Sequence, residues 1–262
     1  MKRHGSYTDE VIQGYDLETQ WLPEVTSEIE ELVRSSGEHV QGQCLDLTRL
    51  PFVTIDGVDA RDYDDAICAS KSDNGWLLQI AIADVSHYVR PGTALDQSAG
   101  SRGNSTYFVD RVIPMLPEVL SNDICSLRPD EDRLAIVCSI LINSSGDILD
   151  WTFDQAWIRS RFRLTYDEVD RYFNKREERF HRAWGEAVCE SLDMVSQVVL
   201  SRQDLCAGTG RIDISFPETA ITLGDNGTVA AIGYRESNSA CLLYTSDAAD
   251  EGLGVDLGGR RI

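Results

Sequence analysis

The chain has 262 residues, with 24 Lys plus Arg against 44 Asp plus Glu, a formal charge of −20, and 42% hydrophobic residues. No apolar stretch approaches the roughly eighteen residues a membrane span requires, and the apolar content is too high for a wholly disordered chain. So acidic a balance argues against a simple basic clamp on nucleic acid, although acidic groups can hold metal ions between a protein and a phosphate.

Residues 1–44 read as a lead-in. Met1-Lys2-Arg3-His4-Gly5 is basic but no apolar run follows it, so no secretory signal is expected and the default location is the cytoplasm. Pro23 opens a pattern of Val25, Ile29, Leu32 and Val33 with glutamates opposite, a short amphipathic helix that Ser35-Ser36-Gly37-Glu38 stops. From Leu45 the character changes. Phe52-Val53-Thr54-Ile55 is a β-rich run, and residues 65–70 and 76–83 predict a hairpin around Asp73-Asn74-Gly75 whose second strand, apolar on both faces, suits a sheet centre. Residues 84–133 mix Pro, Gly, Ser and Asn with bulky apolar side chains, as a long, ordered, site-forming excursion does. A second hairpin spans 134–143 and 148–160 through Ser144-Ser145-Gly146-Asp147, and Thr165 with Glu168 predicts a capped helix, broken near Asn174 and resumed to about Leu205. Residues 211–216, 220–223 and 229–234 are strand-like, the last two joined by Asp225-Asn226-Gly227. The expected fold is a mixed α/β (α+β) domain, a mixed sheet with packed helices. Trp76, Trp151 and Trp157 sit in strand patterns and read as core. Seven cysteines without a Cys-x-x-Cys or zinc spacing, most in apolar company, read as reduced thiols.

The chemistry concentrates in Asp56-Gly57-Val58-Asp59-Ala60-Arg61-Asp62-Tyr63-Asp64-Asp65, five carboxylates within ten residues. Such a run can be a solvated acidic loop. Here, however, it follows one β run directly and precedes another, and carboxylates pinned between buried strands repel one another unless cations neutralise them. Oxygen ligands at a strand end suit Mg²⁺. The calcium-loop spacing is absent, and a strand-Asp-x-Asp phosphatase would want a hydroxyl residue where Ala66 follows Asp64-Asp65. Spacing alone leaves both the loop and the metal reading open. Arg61 reads as an internal counter-charge to these acids, and His87 as a structural histidine beside Tyr88.

Leu50-Pro51-Phe52-Val53-Thr54-Ile55-Asp56-Gly57 with Asp59 to Ala66 resembles the signature of the ribonuclease II / ribonuclease R family, the RNB-domain exoribonucleases. The resemblance continues through Ala83-Asp84-Val85-Ser86-His87, Arg102-Gly103-Asn104-Ser105-Thr106-Tyr107-Phe108, Val112-Ile113-Pro114-Met115-Leu116-Pro117, Asp132-Arg133-Leu134 and Leu164-Thr165-Tyr166, with an echo at Asp213 to Glu218. It implies a Mg²⁺-dependent hydrolase, with two ions in a complete site, that degrades single-stranded RNA from its 3′ end to nucleoside 5′-monophosphates, working as a monomer away from membranes. It also implies metal-binding roles for Asp56, Asp62, Asp64 and Asp65. Asp56 and Asp65 would ligate directly, and Asp62 would do so directly or through a water. Asp62 and Asp64 are the catalytic acids, Asp64 the more sensitive to removal, and Tyr107 is the aromatic that stacks near the 3′-terminal nucleotide. The rival is a non-catalytic RNA-binding relative, which is expected to have lost acids that are all present here.

Residues 45–240 are therefore expected to be the N-terminal part of an RNB catalytic domain, truncated before the arginine-containing segment and the basic modules of the family, and weak or inactive by itself. Residues 241–262 resemble a translated sequencing adapter, so this tail is expected to be non-native; resequencing across codon 240 checks it.

Overall fold

The computed structural model describes residues 7–35, 44–58, 60–175, 177–207, 218–224 and 228–235. It divides into two units, one of residues 1–42, 84–126 and 217–235, the other of residues 43–83, 127–216 and 236–262. In chain order the strands are β1 (Leu45–Asp46), β2 (Val53–Asp56), β3 (Asp65–Ser72), β4 (Gly75–Ala83), β5 (Thr106–Tyr107), β6 (Val112–Ile113), β7 (Asp132–Asn143), β8 (Ile148–Arg159), β9 (Phe162–Thr165), β10 (Glu218–Leu223) and β11 (Val229–Arg235). The helices are α1 (Tyr7–Gly14), α2 (Pro23–Ser35), α3 (Val85–Tyr88), α4 (Ala94–Arg102), α5 (Tyr166–Lys175), α6 (Glu178–Trp184) and α7 (Glu186–Ala207). The expected strand at 211–216, the turn at 225–227 and the tail at 241–262 lie outside the described residues.

The larger unit is built on a seven-stranded mixed sheet in the order β1-β8-β7-β4-β3-β2-β9, in keeping with the mixed α/β expectation. The pairs β1/β8 and β2/β9 are parallel and the others antiparallel. Both hairpins form where their turn residues and apolar runs predict them, and β4 lies between β3 and β7, as a strand apolar on both faces should. Gly75, expected in the turn, instead pairs with Ser72 as the first residue of β4. A Cβ there would stand 2.1 Å from the Ile142 carbonyl oxygen, so only glycine admits the close approach of β7.

Helices α5 to α7 pack on this sheet. Thr165 and Glu168 form the predicted capping box: the Glu168 carboxylate accepts from the Thr165 amide at 2.9 Å, and the Thr165 hydroxyl accepts from the Glu168 amide at 3.2 Å. Val53, Ile55, Ile67, Ile80 and Leu164 from the strands meet Val169, Tyr172, Leu192 and Val195 from the helices in one core. The Ser191 hydroxyl on α7 accepts from the Ala69 amide on β3 at 2.9 Å, fixing helix against strand. Of the tryptophans, Trp76 packs on the core, but Trp151 is 57% exposed beside an exposed Phe153 on β8, against the expectation of burial.

In the smaller unit α2 takes the predicted place and buries Val25, while α1 and α4 carry too few bulky apolar residues to show a helical stripe in the sequence. Glu28 on α2 accepts from the Leu95 amide at the start of α4 at 2.9 Å. The Arg102 guanidinium, 3.7 Å from the Trp21 ring centroid, donates to the carbonyls of Glu18, Gln20 and Pro114. One side chain thus ties the lead-in to the loop that carries Tyr107.

Candidate active site

Antiparallel pairing of β2 with β3, at Val53 and Ile67, brings the last residue of β2, Asp56, and the first residue of β3, Asp65, to the same end of the sheet. Asp62 and Asp64 lie on the loop between them. Main-chain bonds hold this loop in several places. The Ala60 amide donates to the Gly57 carbonyl at 3.1 Å, the Leu127 amide to Tyr63 at 2.8 Å, and the Ala83 amide at the end of β4 to Asp64 at 2.8 Å. Asp56 is buried, Asp62 and Asp65 are half-buried and Asp64 is exposed. Asp59 lies outside the described residues.

Asp56 is in an unusual position. One carboxylate oxygen, Oδ2, is buried with no hydrogen-bond partner, as is the Thr54 hydroxyl two residues before it. Burial pushes the Asp56 carboxyl up to about 7, with the charges of Asp65 and Asp62 adding to the effect and the nearby Thr54 hydroxyl and Arg163 opposing it. Among the described residues, no three His, Cys, Asp or Glu side chains stand close enough to form a metal cage. Mg²⁺ does not require one: it keeps several waters and takes one or two carboxylates, so a desolvated carboxylate oxygen with acids beside it fits its chemistry.

This arrangement costs the metal-free fold. An unfolded Asp ionises near pH 4, whereas folded Asp56 keeps its proton to about 7. Between those values the unfolded state binds fewer protons, so stability falls as pH rises through the window. Asp56→Asn is therefore expected to raise the melting temperature of the metal-free chain above pH 7, by on the order of 5 °C, and to leave it nearly unchanged at pH 4. Thermal melts at the two pH values check this.

Arg61, read as the counter-charge, is exposed. Arg163 on β9 stands beside Asp56 instead. Sequence reading missed it; its one signal was the alternation of Arg159, Arg161 and Arg163, two of them flanking Phe162. Tyr107 lies on β5 in the smaller unit and is 68% exposed, not a buried strand tyrosine. His87 packs edge-on against Tyr88 with centroids 4.9 Å apart, and burial together with Arg90 holds its ring below the usual histidine range, partly opposed by Asp84. Burial pushes the Cys68 thiol up, in keeping with an unreactive core cysteine. No helix among the described residues is long and apolar enough to cross a membrane.

The family model described as RNB domain matches residues 45–246. Ribonuclease R of Vibrio parahaemolyticus is 46% identical over 175 residues, 66% of this chain and 21% of the relative. Ribonuclease R of Escherichia coli K12 is 46% identical over 166 residues, 63% of this chain and 20% of the relative. The chain thus spans about a fifth of the length of these relatives. Among solved structures, ribonuclease R of Mycoplasma genitalium in complex with ribose-methylated single-stranded RNA superposes with a TM-score of 0.80 at 28% identity, covering 90% of this chain and 36% of that one.

Proposed function

The chain belongs to the RNB domain family, and on that premise we propose that it carries the catalytic aspartate loop of a Mg²⁺-dependent 3′-to-5′ exoribonuclease. Its substrate is single-stranded RNA and its products are nucleoside 5′-monophosphates. The protein works as a monomer in the cytoplasm. The observation that carries this reading is the buried, unpartnered oxygen of Asp56 with Asp62 and Asp65 beside it, at the sheet end where the acidic loop is held by main-chain bonds. A solvated acidic run would keep such an oxygen in water. The Mycoplasma genitalium relative solved with ribose-methylated single-stranded RNA supports the choice of substrate.

Asp56, Asp62, Asp64 and Asp65 would hold two Mg²⁺ ions. When bound, the ions supply electrostatic stabilisation to the attacking and leaving oxygens of a phosphodiester displacement. Asp56 is fixed by its strand and offers its free oxygen, and Asp65 is fixed by its register with Ile82 on β4. Asp62, half-buried, orients from the loop, directly or through a water. Asp64, exposed and anchored through its carbonyl, would present its carboxylate to the ions and the substrate phosphate. Tyr107 offers an exposed ring on which any base can stack.

The test is a chimera of the Escherichia coli ribonuclease R in which its 166-residue matching stretch is exchanged for this one. It is expected to shorten 5′-labelled single-stranded RNA one nucleotide at a time from the 3′ end, only with Mg²⁺. A folded, RNA-binding chimera that is inert, or that cuts internally, contradicts the proposal. In the same assay Tyr107→Ala is expected to raise KM on the order of tenfold, the loss of about one stacked base, with little change in kcat.

A further inference from the structure

We infer that Arg163 is the positioning residue of the aspartate loop. It acts on the loop backbone, and this inference rests on the Mg²⁺ reading above. Arg163 lies on β9 directly opposite Thr54 in the parallel register, one turn of the pleat before Asp56 and Thr165 pair. From there its guanidinium reaches the near side of the loop: Nη2 donates to the carbonyl of Gly57 and, at 2.9 Å, to that of Val58. The same guanidinium carbon stands 5.7 Å from the ring centroid of Tyr63 on the far side. One planar group therefore touches both flanks of the segment that carries Asp62 and leads into Asp64.

Among the described residues, both hydrogen bonds of Arg163 go to main-chain carbonyls, and the buried Oδ2 of Asp56 stays without a hydrogen-bond partner. Both bonds come from the one nitrogen Nη2, so a lysine could keep the carbonyl contacts but would lack the planar guanidinium that also faces the Tyr63 ring. The separation between Asp56 and the acids at 62–65 is then set by how the loop backbone is held, and Arg163 holds it from a strand that is itself pinned along β2. The link runs from a residue more than a hundred positions away in sequence, through two peptide oxygens and one ring, to the spacing of the carboxylates.

A clamp and a simple counter-charge predict opposite results. If Arg163 only neutralised the acids, it would compete with a divalent cation, and Arg163→Gln would bind Mg²⁺ as tightly as the wild type or more tightly, with Arg163→Lys like the wild type. If it positions the loop, both variants bind more weakly, Gln by about tenfold and Lys by somewhat less. Isothermal titration of the 262-residue chain with MgCl₂ distinguishes the two, with Asp56→Asn identifying the binding as that of the loop and circular dichroism reporting that each variant is folded. A second readout needs no metal: the Ala60 amide, which donates to Gly57, is expected to exchange its hydrogen faster in both variants. Mg²⁺ binding by Arg163→Gln as tight as the wild type or tighter, or unchanged exchange at Ala60 in both variants, overturns the inference. If the wild-type chain takes up no Mg²⁺ at the loop, the metal reading falls and exchange at Ala60 alone decides whether Arg163 clamps the backbone. If Arg163→Gln does not fold, Arg163→Lys carries both readouts.

Discussion

Asp64→Asn is expected to lower RNA hydrolysis by the chimera on the order of a thousandfold while leaving RNA binding and the melting temperature nearly unchanged. Asp64 is exposed, and its main-chain carbonyl accepts from the Ala83 amide, a bond that asparagine keeps. The substitution removes one negative charge and little packing, so its effect falls on whatever the charge does. Loss of a single group that stabilises developing charge in an active site costs about a hundred- to a thousandfold, and under the proposed function Asp64 would face two cations and a phosphate, which places it at the upper end. The contrast with Asp56→Asn is informative. Asp56 is desolvated and repelled by its neighbours, so its neutral form stabilises the metal-free fold, whereas Asp64 is exposed to solvent. Single-turnover shortening of labelled RNA, with filter binding and a thermal melt on the same preparation, measures all three quantities. Activity within tenfold of the parent chimera would remove Asp64 from the mechanism.

Tyr172→Ala is expected to be the most damaging single change to the fold. Tyr172 on α5 is fully buried. Its ring lies 5.6 Å from both Phe180 and Trp184 on α6. Its hydroxyl is 3.2 Å from the Cys189 carbonyl and 3.0 Å from Oδ1 of Asp193 on α7. The side chain therefore joins all three helices that cover the sheet. Truncating a buried aromatic leaves a cavity and costs about 3–5 kcal/mol, which in a domain of this size lowers the melting temperature by on the order of 10 °C. Tyr172→Phe removes the hydroxyl alone and is expected to cost about 1 kcal/mol. If the alanine and phenylalanine variants melted together, the ring would not be the anchor described.

What was legible in the sequence was local. The β3–β4 and β7–β8 hairpins declare themselves through turn residues between apolar runs, and the capping box at Thr165 and Glu168 declares α5. What was not legible depends on distant pairing or on weak patterns. β9 is four residues long, starts between two arginines, and becomes a strand by lying parallel to β2, more than a hundred residues upstream. α4 buries Leu95 but is otherwise small and polar, so it shows no stripe. Trp151 has the alternation of a buried strand residue and yet is exposed, because alternation shows that a strand has two faces without showing which face is covered. The site divides in the same way. The acids lie together in the chain, so the cluster is visible between its flanking strands, while its reading as a metal site comes from the family resemblance. Adjacency in the chain points to Arg61 as their cationic neighbour, whereas the sheet brings Arg163 beside Asp56 from the far side of the unit's sequence.

Anomalous diffraction from crystals of the chain soaked in Mn²⁺, as a stand-in for Mg²⁺, tests most directly whether the aspartate loop holds divalent cations. The expected result is a peak within about 2.2 Å of Asp56 Oδ2, shared with at least one of Asp62, Asp64 and Asp65, and absent from Asp56→Asn crystals. An Asp56 carboxylate that stays without metal at saturating Mn²⁺, with the peaks elsewhere on the acidic surface, would contradict it.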